Sequence, residues 1–131
     1  MCRFNDDLLD RIWERAQRVD GYDPARFRKD ACGAWIIKEL YGDKESPFGW
    51  EVDHIYPESK LLSKNVPMML IDDPINLRPL NRKNNESKGD DYPSYRAVIT
   101  SEDKSNKEGV FEYTVNEEVR NQVEHLFREY L

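Results

Sequence analysis

The residues best suited to chemistry lie in the block 51–57, where Asp53 stands next to His54, one of only two histidines in the chain. Asn84 and Asn85 follow further along. An imidazole can take a proton from water near neutral pH, and hydrolysis of a phosphodiester needs such a base. A carboxylate and an amide supply the oxygen ligands that a hard divalent cation prefers, and the cation neutralises charge on the phosphate. Asp53, His54 and one of the asparagines therefore supply the parts of a metal-dependent hydrolytic site.

Three segments carry a resemblance to a known family. They read Asp53-His54-Ile55-Tyr56-Pro57, then Asn76-Leu77-Arg78-Pro79-Leu80, then Asn84-Asn85-Glu86-Ser87-Lys88-Gly89. This succession resembles the HNH (ββα-metal) endonuclease family, whose pattern runs Asp-His-Ile-x-Pro, a loop, Asn-Leu-x-x-Leu and a short helix with Asn-x-x-Lys-Gly. The chain is most similar to small stand-alone bacterial and phage members with asparagine as the third motif residue. The resemblance covers residues 28–93.

The resemblance implies a role for each matched residue. Asp53 and Asn85 would be the protein ligands of Mg²⁺ or Mn²⁺, and His54 would be the general base that activates water. Asn76 would fix the loop that carries His54 without touching the metal, and Lys88 would contact a phosphate. Cleavage by such an enzyme leaves a 5′-phosphate and a 3′-hydroxyl.

The third motif position is ambiguous by one residue, because Asn84 and Asn85 are neighbours. Asn85 is favoured, since it lies three residues before Lys88, as in the resembling domains. Many family members carry cysteine pairs that bind a structural zinc, and one of those cysteines stands at the position of Asn84. Here the only cysteines are Cys2 and Cys32, which form no pair, so no structural zinc is expected.

The net charge of the chain and the distribution of its cations bear on whether it binds nucleic acid. The net charge of −6 counts against a protein that grips duplex nucleic acid by bulk electrostatics. The positive residues are nevertheless clustered, and five of them are candidates for contact with a nucleic-acid backbone: Arg28, Lys29, Arg78, Arg82 and Lys83. A local positive groove on an acidic body predicts weak, salt-sensitive binding to DNA, with RNA as an alternative. On charge alone, a solvated surface is the simpler interpretation of each cluster.

Hydrophobic periodicity predicts the elements that must position these residues. Helices are predicted over 6–18, over 81–88 and from Thr114 or Asn116 to the end of the chain. Strands are predicted over 35–41, 50–55 and 76–80, with a hairpin formed by 95–100 and 110–115. Residues 22–28 resemble a linker, and residues 56–75 a long loop packed by its own apolar side chains.

The expected fold class is therefore α+β. A ββα-metal (HNH) motif built on Trp50–His54, Asn76–Leu80 and Asn81–Lys88 is extended by an added N-terminal strand and flanked by terminal helices. One domain over residues 1–131 is expected, with a motif core at about 34–93. No apolar stretch reaches the length of a membrane span, and the first residues lack the apolar segment of a secretory signal, so a cytoplasmic setting is expected.

The expected function is metal-dependent hydrolysis of phosphodiester bonds in DNA by an endonuclease. Two alternatives remain: a non-catalytic nucleic-acid-binding module that keeps the fold, and an accessory subunit of a larger complex. The residues leave open DNA against RNA, nicking against double-strand cutting, sequence preference, oligomeric state and biological role.

Overall fold

A computed structural model describes residues 3–131. Within this range the chain forms five α-helices and six β-strands, in the order α1 (Asp6–Trp13), β1 (Phe27–Lys29), β2 (Trp35–Ile37), β3 (Trp50–His54), α2 (Glu58–Leu62), α3 (Met68–Ile71), β4 (Leu77–Asn81), α4 (Arg82–Lys88), β5 (Ser94–Glu102), β6 (Ser105–Thr114) and α5 (Glu117–Leu126). The strands pair as three antiparallel two-stranded sheets, β1–β2, β3–β4 and β5–β6. The predicted α+β class is confirmed.

Helix α1 is shorter than predicted. Its N-terminus is capped by the side chain of Asn5, but the helix ends at Trp13 and not at residue 18. The reason is that Gln17 forms an isolated antiparallel bridge with Lys29, which requires an extended backbone. The helix buries Trp13 against Trp50, with the ring centroids 5.6 Å apart, and so joins the N-terminal segment to β3.

The strand predicted over 35–41 does not form as an added strand of the β3–β4 sheet, so that expectation is wrong; only its last residue, Tyr41, makes an isolated parallel bridge to Trp50 of β3. Strand β2 pairs with β1, which lies where a linker was predicted, and the chain continues into a 3-10 turn at Lys38–Leu40. Gly33, with φ of 85°, occupies the turn between the two strands in a backbone conformation that favours glycine. The local hairpin with β1 therefore provides the strand partner of β2, in place of the β3–β4 sheet.

Strands β3 and β4 and helix α4 lie close to their predicted positions. The register pairs Asp53 with Arg78 and His54 with Leu77, at the end of the sheet from which the long loop leaves and to which it returns. Helix α4 begins directly after β4, because the side chain of Asn81 accepts a hydrogen bond from the backbone N–H of Lys83. The strands thus present two motif residues at one end, and the helix follows immediately.

The loop between β3 and β4 was predicted to be packed by its own apolar side chains, and it packs several of them in a cluster that it shares with the C-terminal segment. It contains α2 and α3, and it buries Leu61, Val66 and Ile71 in a cluster that also holds Val123 and Phe127 of the C-terminal segment. The loop therefore forms a packed support beside His54.

The C-terminal half supports α4 from the other side. The β5–β6 hairpin is longer than predicted, and α4 packs against β5. Helix α5 is capped by Asn116, one of the two predicted caps. Among residues 3–131, no helix combines the length and the apolar composition that crossing a membrane would require.

Candidate active site

His54 occupies the last position of β3, and its surroundings hold the ring in place. Its side chain is 13 % exposed, and Nε2 lies 2.8 Å from Oδ1 of Asp72. The ring of Phe4 lies on another side, with a centroid distance of 6.2 Å. The imidazole is therefore partly accessible to solvent yet restricted in orientation.

Asp72 was missed by the sequence reasoning. It lies at the C-terminal end of α3, and its carboxylate also accepts two hydrogen bonds from Arg3, at 2.9 and 2.8 Å. Burial would raise the pKa of Asp72, but the hydrogen bonds from Arg3 and His54 outweigh it and hold that pKa below its usual value. The signal in the sequence was an aspartate pair just before the Pro-Ile-Asn motif segment, which spacing alone could not assign to His54.

Asn76 fixes the chain on both sides of the loop. It is fully buried, and its side-chain oxygen accepts a hydrogen bond from Tyr56 N–H at 2.8 Å. Its amide nitrogen donates to the carbonyl oxygens of Tyr56 and Ile71, while its own carbonyl accepts from Ile55 N–H. These contacts fit the predicted role of holding the loop next to His54, because the side-chain oxygen and nitrogen of Asn76 both form hydrogen bonds within the protein.

Asp53 is buried and paired with two cations. Its side chain is 3 % exposed, with Oδ2 3.0 Å from Nε of Arg78 and Oδ1 3.1 Å from Nζ of Lys88. Arg78 lies directly opposite Asp53 in the register of the β3–β4 sheet and is itself only 11 % exposed. The prediction that Arg78 contacts nucleic acid is therefore not supported, since its guanidinium is committed to Asp53 and to the hydroxyl of Tyr95.

Lys88 lies in the interior, although a phosphate contact was predicted for it. Its side chain is 1 % exposed, and its ammonium donates to the carbonyl oxygens of His54 and Ile55 at 3.1 and 3.2 Å. With the ion pair to Asp53, these contacts use all three donors of the group. Burial lowers the pKa of Lys88 and the neighbouring Arg78 lowers it further, against the opposing effect of Asp53. Lys88 thus holds the end of β3 in place.

The two neighbouring asparagines of α4 have different surroundings. Asn84 is fully buried: its amide nitrogen donates to Asp30 and to the carbonyl of Ile99, and its oxygen accepts from the N–H groups of Val98 and Ile99. Asn85 is half-buried, and its side chain has no hydrogen bond to the rest of residues 3–131. Only Asn85 has an amide oxygen available to a ligand, which agrees with its choice as the third motif residue.

Asp30 is a second residue that the sequence reasoning missed. Its buried carboxylate accepts hydrogen bonds from the N–H groups of Cys32, Ala34 and Asn81 and from the amide of Asn84. Burial raises the pKa of Asp30, and the four hydrogen bonds oppose that rise. This network joins the β1–β2 turn to the start of α4.

We expect Asn84→Ala to lower the free energy of unfolding by at least about 3 kcal/mol, because it removes the side-chain partner of the Val98 and Ile99 N–H groups and of the Ile99 carbonyl, and one of the four hydrogen bonds to the buried carboxylate of Asp30. Urea denaturation followed by circular dichroism measures the change. Asn121→Ala, on the exposed face of α5, is the matched control and should cost far less. A loss below about 1 kcal/mol for Asn84→Ala would contradict the importance of this network.

Two of the predicted nucleic-acid contacts, Arg28 and Lys29, have side chains that contact other parts of the protein. Arg28 is 2 % exposed and donates to the carbonyl oxygens of Pro24, Glu14 and Ala16, so its predicted contact with nucleic acid is not supported. The ammonium of Lys29 lies 4.9 Å from the ring centroid of Trp35.

Arg82 and Lys83 are better placed than the other candidates. They begin α4, one turn before Asn85, and their side chains are 21 % and 49 % exposed. Arg82 pairs with Glu86, and its buried Nε has no partner; Lys83 reaches Glu108 at 3.3 Å. Both pairs involve exposed carboxylates, which a phosphate can displace at small cost.

The donors present fit a hard divalent cation held mainly by oxygen. No group of three or more histidine, cysteine, aspartate or glutamate side chains within residues 3–131 is arranged to bind a metal. The carboxylate of Asp53 and the amide oxygen of Asn85, at the two motif positions, are oxygen donors of the type that such a cation prefers. A carboxylate has about four lone-pair sites, of which Arg78 and Lys88 use two, so Asp53 keeps capacity for a ligand.

Comparison with known proteins gives no match: no family model fits the sequence, and no curated protein or solved structure matches the chain. The resemblance to HNH nucleases accordingly rests on the motif residues themselves.

Proposed function

We propose that this chain is an HNH-type, metal-dependent endonuclease that hydrolyses phosphodiester bonds in DNA. The observation that carries the proposal is that His54 and Asp53 end one strand of a two-stranded sheet which leads directly into the helix that carries Asn85. Asn76, buried and fully hydrogen-bonded, holds the loop beside them. The ββα-metal identity of this unit is part of the proposal, as is a cytoplasmic setting without structural zinc.

Each residue has a defined task in this proposal. Asp53 and Asn85 hold Mg²⁺ or Mn²⁺, which when bound neutralises charge on the phosphate and stabilises the leaving oxygen. His54 accepts the proton of the attacking water, for which its partial exposure leaves room. Asn76 keeps the backbone after His54 in position, and Lys88 does the same from the interior through the carbonyl oxygens of residues 54 and 55.

The substrate test uses end-labelled oligonucleotides of duplex DNA, single-stranded DNA and RNA. We expect the purified chain to cleave DNA in Mg²⁺ or Mn²⁺, to stop in EDTA, and to leave a 5′-phosphate and a 3′-hydroxyl that a ligase can rejoin. Asn85→Ala should lose cleavage, while Asn121→Ala, a surface asparagine of α5, should keep it. Cleavage that persists in EDTA, or that Asn85→Ala retains, would reject the proposal.

Binding to DNA should be modest and fall steeply with salt, because a chain of net charge −6 contacts phosphates through few free cations. We expect Lys83→Ala to weaken binding equally for all sequences and to reduce the slope of log affinity against log salt by about one. Fluorescence anisotropy at several salt concentrations measures both. Arg26→Ala removes a cation that is similarly exposed and paired with Glu39, and it should change neither. Tight binding that is indifferent to salt would contradict this expectation.

A second candidate function is a non-catalytic binding or accessory module with the same fold. It is favoured by one observation, the pairing of Asp53 with both Arg78 and Lys88, since two buried cations oppose the approach of a third. Isothermal titration with Mn²⁺ discriminates between the candidates. Mn²⁺ binding by the parent chain that is strongly weakened in Asp53→Asn supports the nuclease, whereas a parent chain that binds DNA but does not bind Mn²⁺ supports the module.

A further inference from the structure

The environment of His54 contains an acidic partner that the motif does not include. Oδ1 of Asp72 lies 2.8 Å from Nε2 of His54, and the two side chains are 23 % and 13 % exposed. Asp72 comes from α3, inside the loop that Asn76 closes. A contact of this length between a carboxylate and an imidazole is a charge-assisted hydrogen bond when the ring nitrogen carries the proton.

The carboxylate of Asp72 is itself held in place. Arg3 donates to both of its oxygens, from Nε to Oδ2 at 2.9 Å and from Nη2 to Oδ1 at 2.8 Å. The same guanidinium donates to both oxygens of Glu58 at 3.2 and 2.9 Å. Arg3 thus fixes two carboxylates from different helices of the loop, and Asp72 keeps its charge because these hydrogen bonds lower its pKa.

We propose that Asp72 is a positioning residue for His54: it accepts the Nε2 proton and thereby leaves Nδ1 unprotonated, so that Nδ1 is the atom that takes the proton of the attacking water. Arg3 and Phe4 complete this arrangement. Arg3 orients the carboxylate, and the ring of Phe4, only 8 % exposed, limits rotation of the imidazole. The inference rests on the proposed function for the catalytic role of His54, but the contact itself does not.

The chemical reason is that a neutral imidazole has one donor nitrogen and one acceptor nitrogen. A carboxylate can only accept, so the nitrogen that faces Asp72 must be the donor, and the opposite nitrogen must be the base. In the step itself, an O–H bond of water breaks and its proton moves to Nδ1, the water oxygen bonds to phosphorus, and the bond from phosphorus to the 3′-oxygen breaks. The 3′-oxygen takes a proton from solvent to become the hydroxyl, and Nδ1 returns its proton to solvent.

The contact can be tested without any nuclease activity. The chain has only two histidines, so ¹⁵N-histidine labelling gives two sets of ring signals, and the exposed His125 is an internal reference. We expect the parent chain to show a slowly exchanging ring proton on Nε2 of His54, and Asp72→Ala to lose it. Asp73→Asn, a substitution of the neighbouring aspartate, should keep the signal, because asparagine can still accept the hydrogen bond of Ile75 N–H.

The role in the reaction is tested by kinetics with the Mg²⁺-loaded chain. We expect Asp72→Asn to reduce kcat by about tenfold to a hundredfold while KM for DNA and the affinity for Mn²⁺ stay within twofold of the parent. Asp72→Glu should recover part of the loss, and Asp73→Asn should cleave at the parent rate. If Asp72→Asn does not fold, the Glu variant and the ring-proton signal of the parent carry the test.

Two results would overturn the inference. One is a parent chain in which Nδ1 of His54, and not Nε2, carries the proton. The other is a folded Asp72→Asn variant with kcat within twofold of the parent. A parent chain that shows the Nε2 proton but cleaves no nucleic acid would instead reject the proposed function and leave the contact established.

Discussion

Substitution of Asp53 is expected to remove cleavage completely and to cost stability as well. Asp53→Ala removes the proposed metal ligand, and it also leaves Arg78 and Lys88 in the interior without a counter-charge. Loss of one partner from such a buried pair costs about 3–5 kcal/mol, so part of the purified variant is expected to unfold on mild heating. Plasmid cleavage and urea denaturation measure the two effects separately.

Asp53→Asn distinguishes the loss of the metal from the loss of the fold. The asparagine keeps the volume and one oxygen, and we expect it to fold, to bind Mn²⁺ weakly and to recover some cleavage only at high Mn²⁺ concentration. Glu51→Gln is the matched control, since it changes another acid of β3, half-exposed and outside the proposed site, and it should cleave at the parent rate. A folded Asp53→Asn variant with parental metal affinity and parental rate would show that Asp53 is not a ligand.

His54→Ala is expected to lower the cleavage rate by about 10²–10⁴ while sparing the fold and the metal. The side chain is partly exposed and its one hydrogen bond is to Asp72, so its removal disturbs little of the core. Excess Mn²⁺ should not restore the rate, because a metal ion does not place a proton acceptor against the water. His125→Ala, on the exposed surface of α5, should cleave like the parent chain. The role of His54 is rejected if the folded alanine variant cuts within a few-fold of the parent rate.

The elements that carry the motif could be predicted because their signals are local. Strands β3 and β4 follow from short runs of strand-forming residues, and the end of helix α4 from the glycine at position 89. The choice of Asn85 over Asn84 also followed from spacing, and the burial of Asn84 agrees with it.

The surroundings of the site could not be predicted, because they depend on residues far apart in the chain. Arg3 and Asp72 are separated by 69 residues, and Asp30 and Asn84 by 54. No periodic pattern connects such pairs, so the partner of His54 became visible only in the fold.

The sequence did not reveal the burial of the cations Lys88 and Arg28, for a related reason. Spacing along α4 placed Lys88 near Asn85, but it could not tell that Lys88 faces the interior and pairs with Asp53. The positive charge of Arg28 likewise suggested a surface, whereas its guanidinium is used by backbone carbonyl groups. A buried carboxylate or carbonyl needs a hydrogen-bonding partner and can take it from a cation, as a phosphate can, and composition does not distinguish between these partners.

The most direct measurement is cleavage of supercoiled plasmid by the parent chain and by His54→Ala, purified in parallel and incubated in Mg²⁺ with and without EDTA. The account predicts that the parent converts the plasmid to nicked or linear DNA only when Mg²⁺ is free, and that the His54→Ala preparation leaves it supercoiled. An inactive parent chain, or equal cleavage by both preparations, would contradict the assignment of this site as a metal-dependent nuclease centre.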